Sequence, residues 1–449
     1  MRETFFVAIL NLCCRYTKNI LKLLINCFIC AIILYIQHMG KRTYIMKLIR
    51  TFSILTIVTM LIIGFAISSY GISAEERFNS NREGLIAVSY RGDTENYPEN
   101  SLEGVKSAFE MGAHMVSVGV VKTADGVFVL AENENPGNVC NTDKSSFSEI
   151  TLEELESCYL YDNCGQLTDC RIATLKEALD NTVDSEILIL DITPEMKDEV
   201  YELLLSEGAI DRVVLRFKES AKNIAKWINA KEAEPQVIGV YSGNIVWNAI
   251  SHIEKLSENC RIVQYQSKNY FNVMYGSFVA KRYSADGNAR ALAPTYDKEL
   301  CGQREDNASG WNELIEKGFS AIETNNIASL VEYTERAEEL NESLRILTEK
   351  AENTELSVYS DVSADNLSKA LRKAEEELRR GVSSVGELES ANSQLLLALN
   401  RLNLSDGKES QKGALNITAG KVIAAVLVGF AILAGQIYVH KMQKEKRRK

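Results

Sequence analysis

Arg91, Glu99, Asn100, Glu132 and Asp191 are the side chains best placed to do chemistry, because they cluster at the ends of short apolar runs or in the loops that leave them. A guanidinium can hold an anionic oxygen bidentately without a metal, so Arg91 with Tyr90, Glu132 and Asp191 could form a cleft for an anionic or sugar-like ligand. The competing arrangement pairs Arg91 with Glu132 or Asp191 and simply neutralises the cleft. Proton transfer near neutral pH is best served by imidazole, and the chain has 4 histidines. His38 and His440 flank apolar segments, His114 immediately precedes an apolar run and His252 lies in a helical pattern. His114 and His252 are therefore expected as packing or surface residues.

The elements that must position these groups follow from periodicity. Leu85 to Tyr90 is an apolar run ending in Arg91-Gly92, and Ser101 can cap a helix whose apolar residues include Leu102, Val105, Ala108, Phe109 and Met111, stopped by Gly112. Met115 to Val121 is a second run, the turn Thr123-Ala124-Asp125-Gly126 follows, and Val127 to Ala131 is a third. Further runs at 186–192, 212–217, 236–241 and 261–265 are separated by helical stretches. That alternation predicts an α/β fold with a parallel sheet and crossover helices.

Seven segments in register then carry a resemblance. Ser89-Tyr90-Arg91-Gly92, Pro98-Glu99-Asn100-Ser101-Leu102, Gly112-Ala113-His114, Thr123-Ala124-Asp125-Gly126, Thr151-Leu152-Glu153-Glu154-Leu155, Ile172-Ala173-Thr174-Leu175 and Gly318 to Asn325 resemble the glycerophosphodiester phosphodiesterase family in order and spacing, over roughly residues 84 to 336. The resemblance implies a (β/α)8 TIM-type barrel with its site at the C-terminal ends of the strands.

It also implies a chemistry that these residues do not supply. The family's plan has a histidine after strand one and another after strand three as base and acid, with carboxylates holding a divalent cation against the phosphoryl oxygens. Tyr90 stands where the first histidine should be, and Glu132-Asn133 stands where the family has His-Asp. Ser117 and Gly119 replace the paired Glu and Asp of strand two. Asp191 keeps a carboxylate where the family has Glu, and Thr193 replaces a nearby Lys. No catalytic position is intact, and Ser117, Gly119 and Asp191 are vestigial metal positions. Arg91, Glu99 and Asn100 are retained and are the expected ligand-binding residues. No cofactor is expected; Ca²⁺ or Mg²⁺ enters only if the site has been rebuilt as a hydrolase using Glu132, Asp191 or Tyr90 as proton carriers.

Hydropathy and charge suggest where the barrel works. Asn19 to Gln37 is apolar but interrupted by Lys22, Thr51 to Tyr70 is apolar and uncharged, and Val422 to Val439 is followed by a basic tail. Residues 1–45 are read as an N-terminal extension with a candidate transmembrane segment, and 46–74 as a signal peptide or signal anchor, with Met46 the alternative start. Residues 404–418 form a linker, 419–440 a C-terminal transmembrane helix, and 441–449 a cytoplasmic tail by the positive-inside rule. The large domain is then extracellular. A net charge of −11, with the basic residues gathered at the membrane flanks, argues against nucleic acid. Cys140, Cys158, Cys164, Cys170, Cys260 and Cys301 would face an oxidising side, so disulfides are expected within the Cys140 to Cys170 cluster; no Cys-x2-Cys pair supports a zinc site.

After the barrel, assigned to 84–329, residues 330–403 read as a small three-helix bundle with stretches Ser329 to Glu352, Ala364 to Arg380 and Val385 to Leu402. The positions Tyr359 to Leu378 and Ala391 to Leu402 resemble FIVAR-type modules of bacterial cell-surface proteins. Three functions remain open: a membrane-anchored, catalytically inactive module that binds an anionic or phosphate-containing ligand, an envelope glycan or a protein; a phosphodiester hydrolase of lipid metabolism with a rebuilt site; and a scaffold binding through its helical module.

Overall fold

A computed structural model describes residues 84–132, 135–243, 246–275, 279–280 and 289–403. Asn133, the signal-peptide region, the candidate spans, the linker 404–418 and the basic tail lie outside the described residues. Among the described residues no helix is long and apolar enough to cross a membrane.

Eight parallel strands close into a barrel. They are β1 (Ile86–Tyr90), β2 (Met115–Lys122), β4 (Ile187–Asp191), β5 (Val213–Phe217), β6 (Gln236–Ser242), β7 (Ile262–Gln266), β8 (Arg290–Pro294) and β9 (Ala321–Thr324). Closure is made by β1, which pairs with β2 at Val88↔Met115 and with β9 at Ala87↔Ile322. The third apolar run departs from the expected parallel order. As β3 (Phe128–Leu130) it turns back antiparallel on β2, because the Thr123 to Gly126 turn, with Gly126 at φ +86°, is too tight for a crossover. Beneath this hairpin Val129, Ala131, Phe147, Ile150, Leu155 and Leu160 build a separate small core.

That small core also takes Cys140 and Cys158, and it corrects the expected disulfides. All six described cysteines are free thiols. Cys140 and Cys158 are buried as small apolar residues, while Cys164 is exposed on a turn. Burial and the neighbouring Cys158 thiol push Cys140 up to about 12.

The alternation along each strand is what positions the site. Ile86, Val88, Met115, Ile187, Ile189, Val214, Ile238, Ile262, Leu292 and Ala321 point inward and fill the lower half of the barrel. Two residues further along the same inward face stand Tyr90, Ser117, Asp191, Arg216, Gln264 and Glu323. Period-two geometry therefore stacks a polar layer on an apolar one at the C-terminal end of the strands. The outward faces pack under the surrounding helices, including α1 (Leu102–Met111), capped by Ser101 and ended by Gly112.

Toward the end of the barrel a single carboxylate ties strands to a helix. Asp306 accepts hydrogen bonds from Thr295 Oγ1 at 2.6 Å, Thr324 Oγ1 at 2.7 Å, Trp311 Nε1 at 3.0 Å and the Asn325 amide at 3.0 Å. It thus joins β8 and β9 to the helix Ala308–Glu316 (α2). Thr295, Trp311 and Thr324 are buried, so Asp306→Ala would orphan several donors at once. Urea unfolding is expected to show a loss of roughly 3 kcal/mol.

The helix Ile327–Glu352 (α3) starts as the barrel's last outer helix and continues into the bundle with Asp361–Arg380 (α4) and Val385–Asn400 (α5). Its residues Ile327, Leu330, Val331 and Tyr333 belong to the barrel core, whereas Leu340, Leu344 and Ala351 join Leu367, Ala374, Leu388, Ala391 and Leu395 in the bundle core. The expected boundary at 329/330 thus falls within an unbroken helix. The turn between α4 and α5 docks back on the barrel: Gly84 N donates to Gly381 O at 3.1 Å and Val385 N to the Tyr333 hydroxyl at 3.1 Å.

Candidate functional site

The mouth of the barrel contains two separate sets of ion pairs. In the first, Arg91 follows β1 with φ +59°, a conformation set by its amide donating to Ser117 O at 2.9 Å and its carbonyl accepting from Asn100 N at 3.0 Å. Its guanidinium forms ion pairs with Glu99 and Glu132, and its Cζ lies 4.5 Å from the centre of the Tyr90 ring. Tyr90 donates to Glu132 Oε2 at 3.0 Å and stacks flat on Tyr296 with ring centres 3.5 Å apart. Burial, first, and then the neighbouring Tyr296 raise the Tyr90 phenol well above its usual range against the opposing pull of Arg91, and burial does the same to Tyr296. Neither hydroxyl can act as a base near neutral pH.

The second set lies deeper. Arg216 Nη2 donates to Asp191 Oδ2 at 2.6 Å, Nη1 to Glu323 Oε2 at 2.6 Å and Nη2 to Glu323 Oε1 at 2.8 Å, with a further ion pair from Nε to Asp191. Gln264 Oε1 accepts from Nη1 at 3.4 Å. The side chains of Arg216 and Glu323 are 6% and 0% exposed, so the pair is screened from water. Burial alone would lower the Arg216 pKa; Asp191 and Glu323 outweigh it and raise it further above its already high value. Sequence reasoning did not single out Arg216, Gln264, Glu323 or Tyr296. The available signal was a polar residue at the inward alternate position near the end of an otherwise apolar strand, as in Val213–Phe217 and Ala321–Thr324.

The retained motif residues have local partners. Asn100, buried with φ +58°, accepts from the Gly119 amide through Oδ1 at 2.8 Å, so it clasps β2 to the loop. Glu99 turns to Arg91. The two described histidines have structural contacts: His114 Nδ1 accepts from the Ala87 amide at 2.8 Å at the opposite end of β1, and His252 lies edge-on to Tyr241 with centres 5.5 Å apart.

A divalent cation does not fit the donors present. Ser117 Oγ donates to Ser89 O at 3.4 Å, and Asp191 is engaged by Arg216. At Gly119 a Cβ would lie 2.6 Å from Ala131 O and 2.6 Å from Glu132 Cα, so the backbone just after β3 fills the space a carboxylate there would need. Among the described residues no three His, Cys, Asp or Glu side chains gather in a metal-binding set. Gly119→Asp is accordingly expected to lose about 1–3 kcal/mol of stability in urea unfolding and to gain no cation affinity. Summing the six groups, Arg91 and Arg216 against Glu99, Glu132, Asp191 and Glu323, leaves a formal charge of −2.

The chain has relatives among known proteins. A glycerophosphodiester phosphodiesterase of Caldanaerobacter subterraneus subsp. tengcongensis is 30% identical over 135 residues, 30% of this chain and 53% of the relative, so the chain spans about half the length of the curated relative it matches. Among solved structures, a glycerophosphoryl diester phosphodiesterase from Parabacteroides distasonis is similar at 20% identity and a TM-score of 0.49, covering 58% of this chain and 90% of that one. One from Thermotoga maritima is similar at 20% identity and a TM-score of 0.42, covering 55% and 97%. Residues 91–269 match the model of the glycerophosphoryl diester phosphodiesterase family.

Proposed function

We propose that this chain is a catalytically inactive, glycerophosphodiester-phosphodiesterase-like module held at the cell membrane, with its barrel on the extracellular side. The observation that carries the proposal is that every charged group in the two sets at the mouth is paired with another, while among the described residues no imidazole and no cation-binding carboxylate set stands beside Arg91. A phosphodiester hydrolysed in water needs a proton donor, a proton acceptor and a positive field that strengthens in the transition state. Here the positive field is already neutralised in the ground state. The apolar segments at 51–70 and 422–439 support the anchoring, and the bundle supports a surface role, whether as spacer or as a FIVAR-like contact with envelope glycan or protein.

A second function, capture of an anionic or phosphate-containing ligand, is favoured by one feature. Arg91 Nε is buried without a hydrogen-bond partner, so one donor of the retained arginine is left over. The formal −2 of the mouth opposes that capture. Calorimetric titration of the full chain with glycerol phosphate separates the two. No saturable heat is expected; saturable binding abolished by Arg91→Ala would establish the anion site and overturn the closed-mouth proposal.

A further inference from the structure

Three oxygen-bearing side chains from three different strands converge on one guanidinium: Asp191 of β4, Gln264 of β7 and Glu323 of β9, all on Arg216 of β5. Their oxygens lie 2.6 Å, 3.4 Å and 2.6 Å from its nitrogens. Two carboxylates and an amide carbonyl are also what a hard divalent cation selects, with water completing its shell. Asp191 moreover stands at the position where the family resemblance puts a cation ligand. We infer that Arg216 permanently fills the place of a divalent cation in this barrel, so that a covalently attached positive charge does the electrostatic work of an exchangeable ion.

The difference matters chemically. A bound ion presents open coordination positions that a substrate oxygen can enter, whereas the Arg216 donors are directed at carboxylates and an amide oxygen that the fold itself supplies. The triad holds β4, β5 and β9 together across the barrel without offering a Lewis acid. The inference deepens the inactive-module proposal at the same mouth, but it is read by cation-dependent melting rather than by turnover, so the two can fail separately.

The test uses the full chain as wild type, Arg216→Met and Arg216→Met/Glu323→Met, each melted in EDTA, in Ca²⁺ and in Mg²⁺. The double variant has lost both the guanidinium and one carboxylate, so it reports cation binding elsewhere on the chain and is subtracted. After subtraction the wild type is expected to melt alike in all three conditions. Arg216→Met is expected to melt about 2–4 °C higher with a divalent cation than in EDTA, because the exposed oxygen set takes up the ion and mass action stabilises the folded state. Folding of Arg216→Met only when the cation is present supports the inference equally. Three outcomes overturn it: a wild-type shift that Asp191→Asn abolishes, a folded Arg216→Met indifferent to cations, or an Arg216→Met that neither cation rescues from misfolding.

Discussion

Arg216→Met in the absence of divalent cations is expected to lose about 3–5 kcal/mol of stability, among the largest effects any single substitution would have in this chain. The magnitude comes from the groups left behind. Glu323 has no exposure to solvent and Asp191 only 22%, so removing the guanidinium strands one carboxylate in a dry interior and a second at its edge. Such a charge must remain ionised at high cost or take up a proton. Arg216→Met/Glu323→Met is expected to recover most of the loss, since two apolar side chains can fill the same volume and Asp191 retains contact with water. Urea unfolding of the three proteins with unchanged slopes would establish the order wild type, double variant, single variant. A single variant as stable as wild type would show that the triad is not a buried, mutually dependent unit.

Putting the missing imidazoles back is expected not to restore hydrolysis. In a chain carrying Tyr90→His and Glu132→His, both proton-transfer positions of the family would again hold histidine, a pair whose members are each typically worth on the order of 100- to 10,000-fold in rate. The double variant should nevertheless remain without measurable turnover of glycerophosphodiesters in Ca²⁺ or Mg²⁺. Ser117 carries no charge, Gly119 has the Ala131–Glu132 backbone where a side chain would go, and Asp191 is held by Arg216. The substitutions would also remove the Tyr90–Tyr296 stack and release Arg91 from Glu132. Phosphate-ester release assayed side by side with wild type decides this, and turnover at ordinary enzyme rates would mean that the mouth does hold a working cation site.

Much of the barrel could be read in advance because its signals are local. The seven motif segments, the Ser101 cap and Gly112 stop, and the alternation that puts Tyr90, Ser117 and Asp191 on one face are each set by residues close together in the chain. Chemistry and motif position offered Glu132 or Asp191 as the partner of Arg91; the pair forms with Glu132, while Asp191 is taken by Arg216. What escaped was long-range. Arg216 and Glu323 are 107 residues apart and meet only because the barrel closes, so no period or motif links them. The antiparallel return of β3, and the packing of the first turns of α3 into the barrel core, were missed for a related reason: a run of apolar residues fixes the element but not its partner. The reverse holds for Asn100, whose motif position suggested ligand binding while its carbonyl oxygen holds the Gly119 amide.

The most direct test of the central claim is steady-state hydrolysis of a glycerophosphodiester by the full wild-type chain with Ca²⁺ and with Mg²⁺. Product formation should be indistinguishable from that of the heat-unfolded protein. Turnover in the ordinary enzymatic range, about 1–1,000 per second, lost on Glu132→Gln or Asp191→Asn, would contradict an inactive barrel and identify a working rebuilt site.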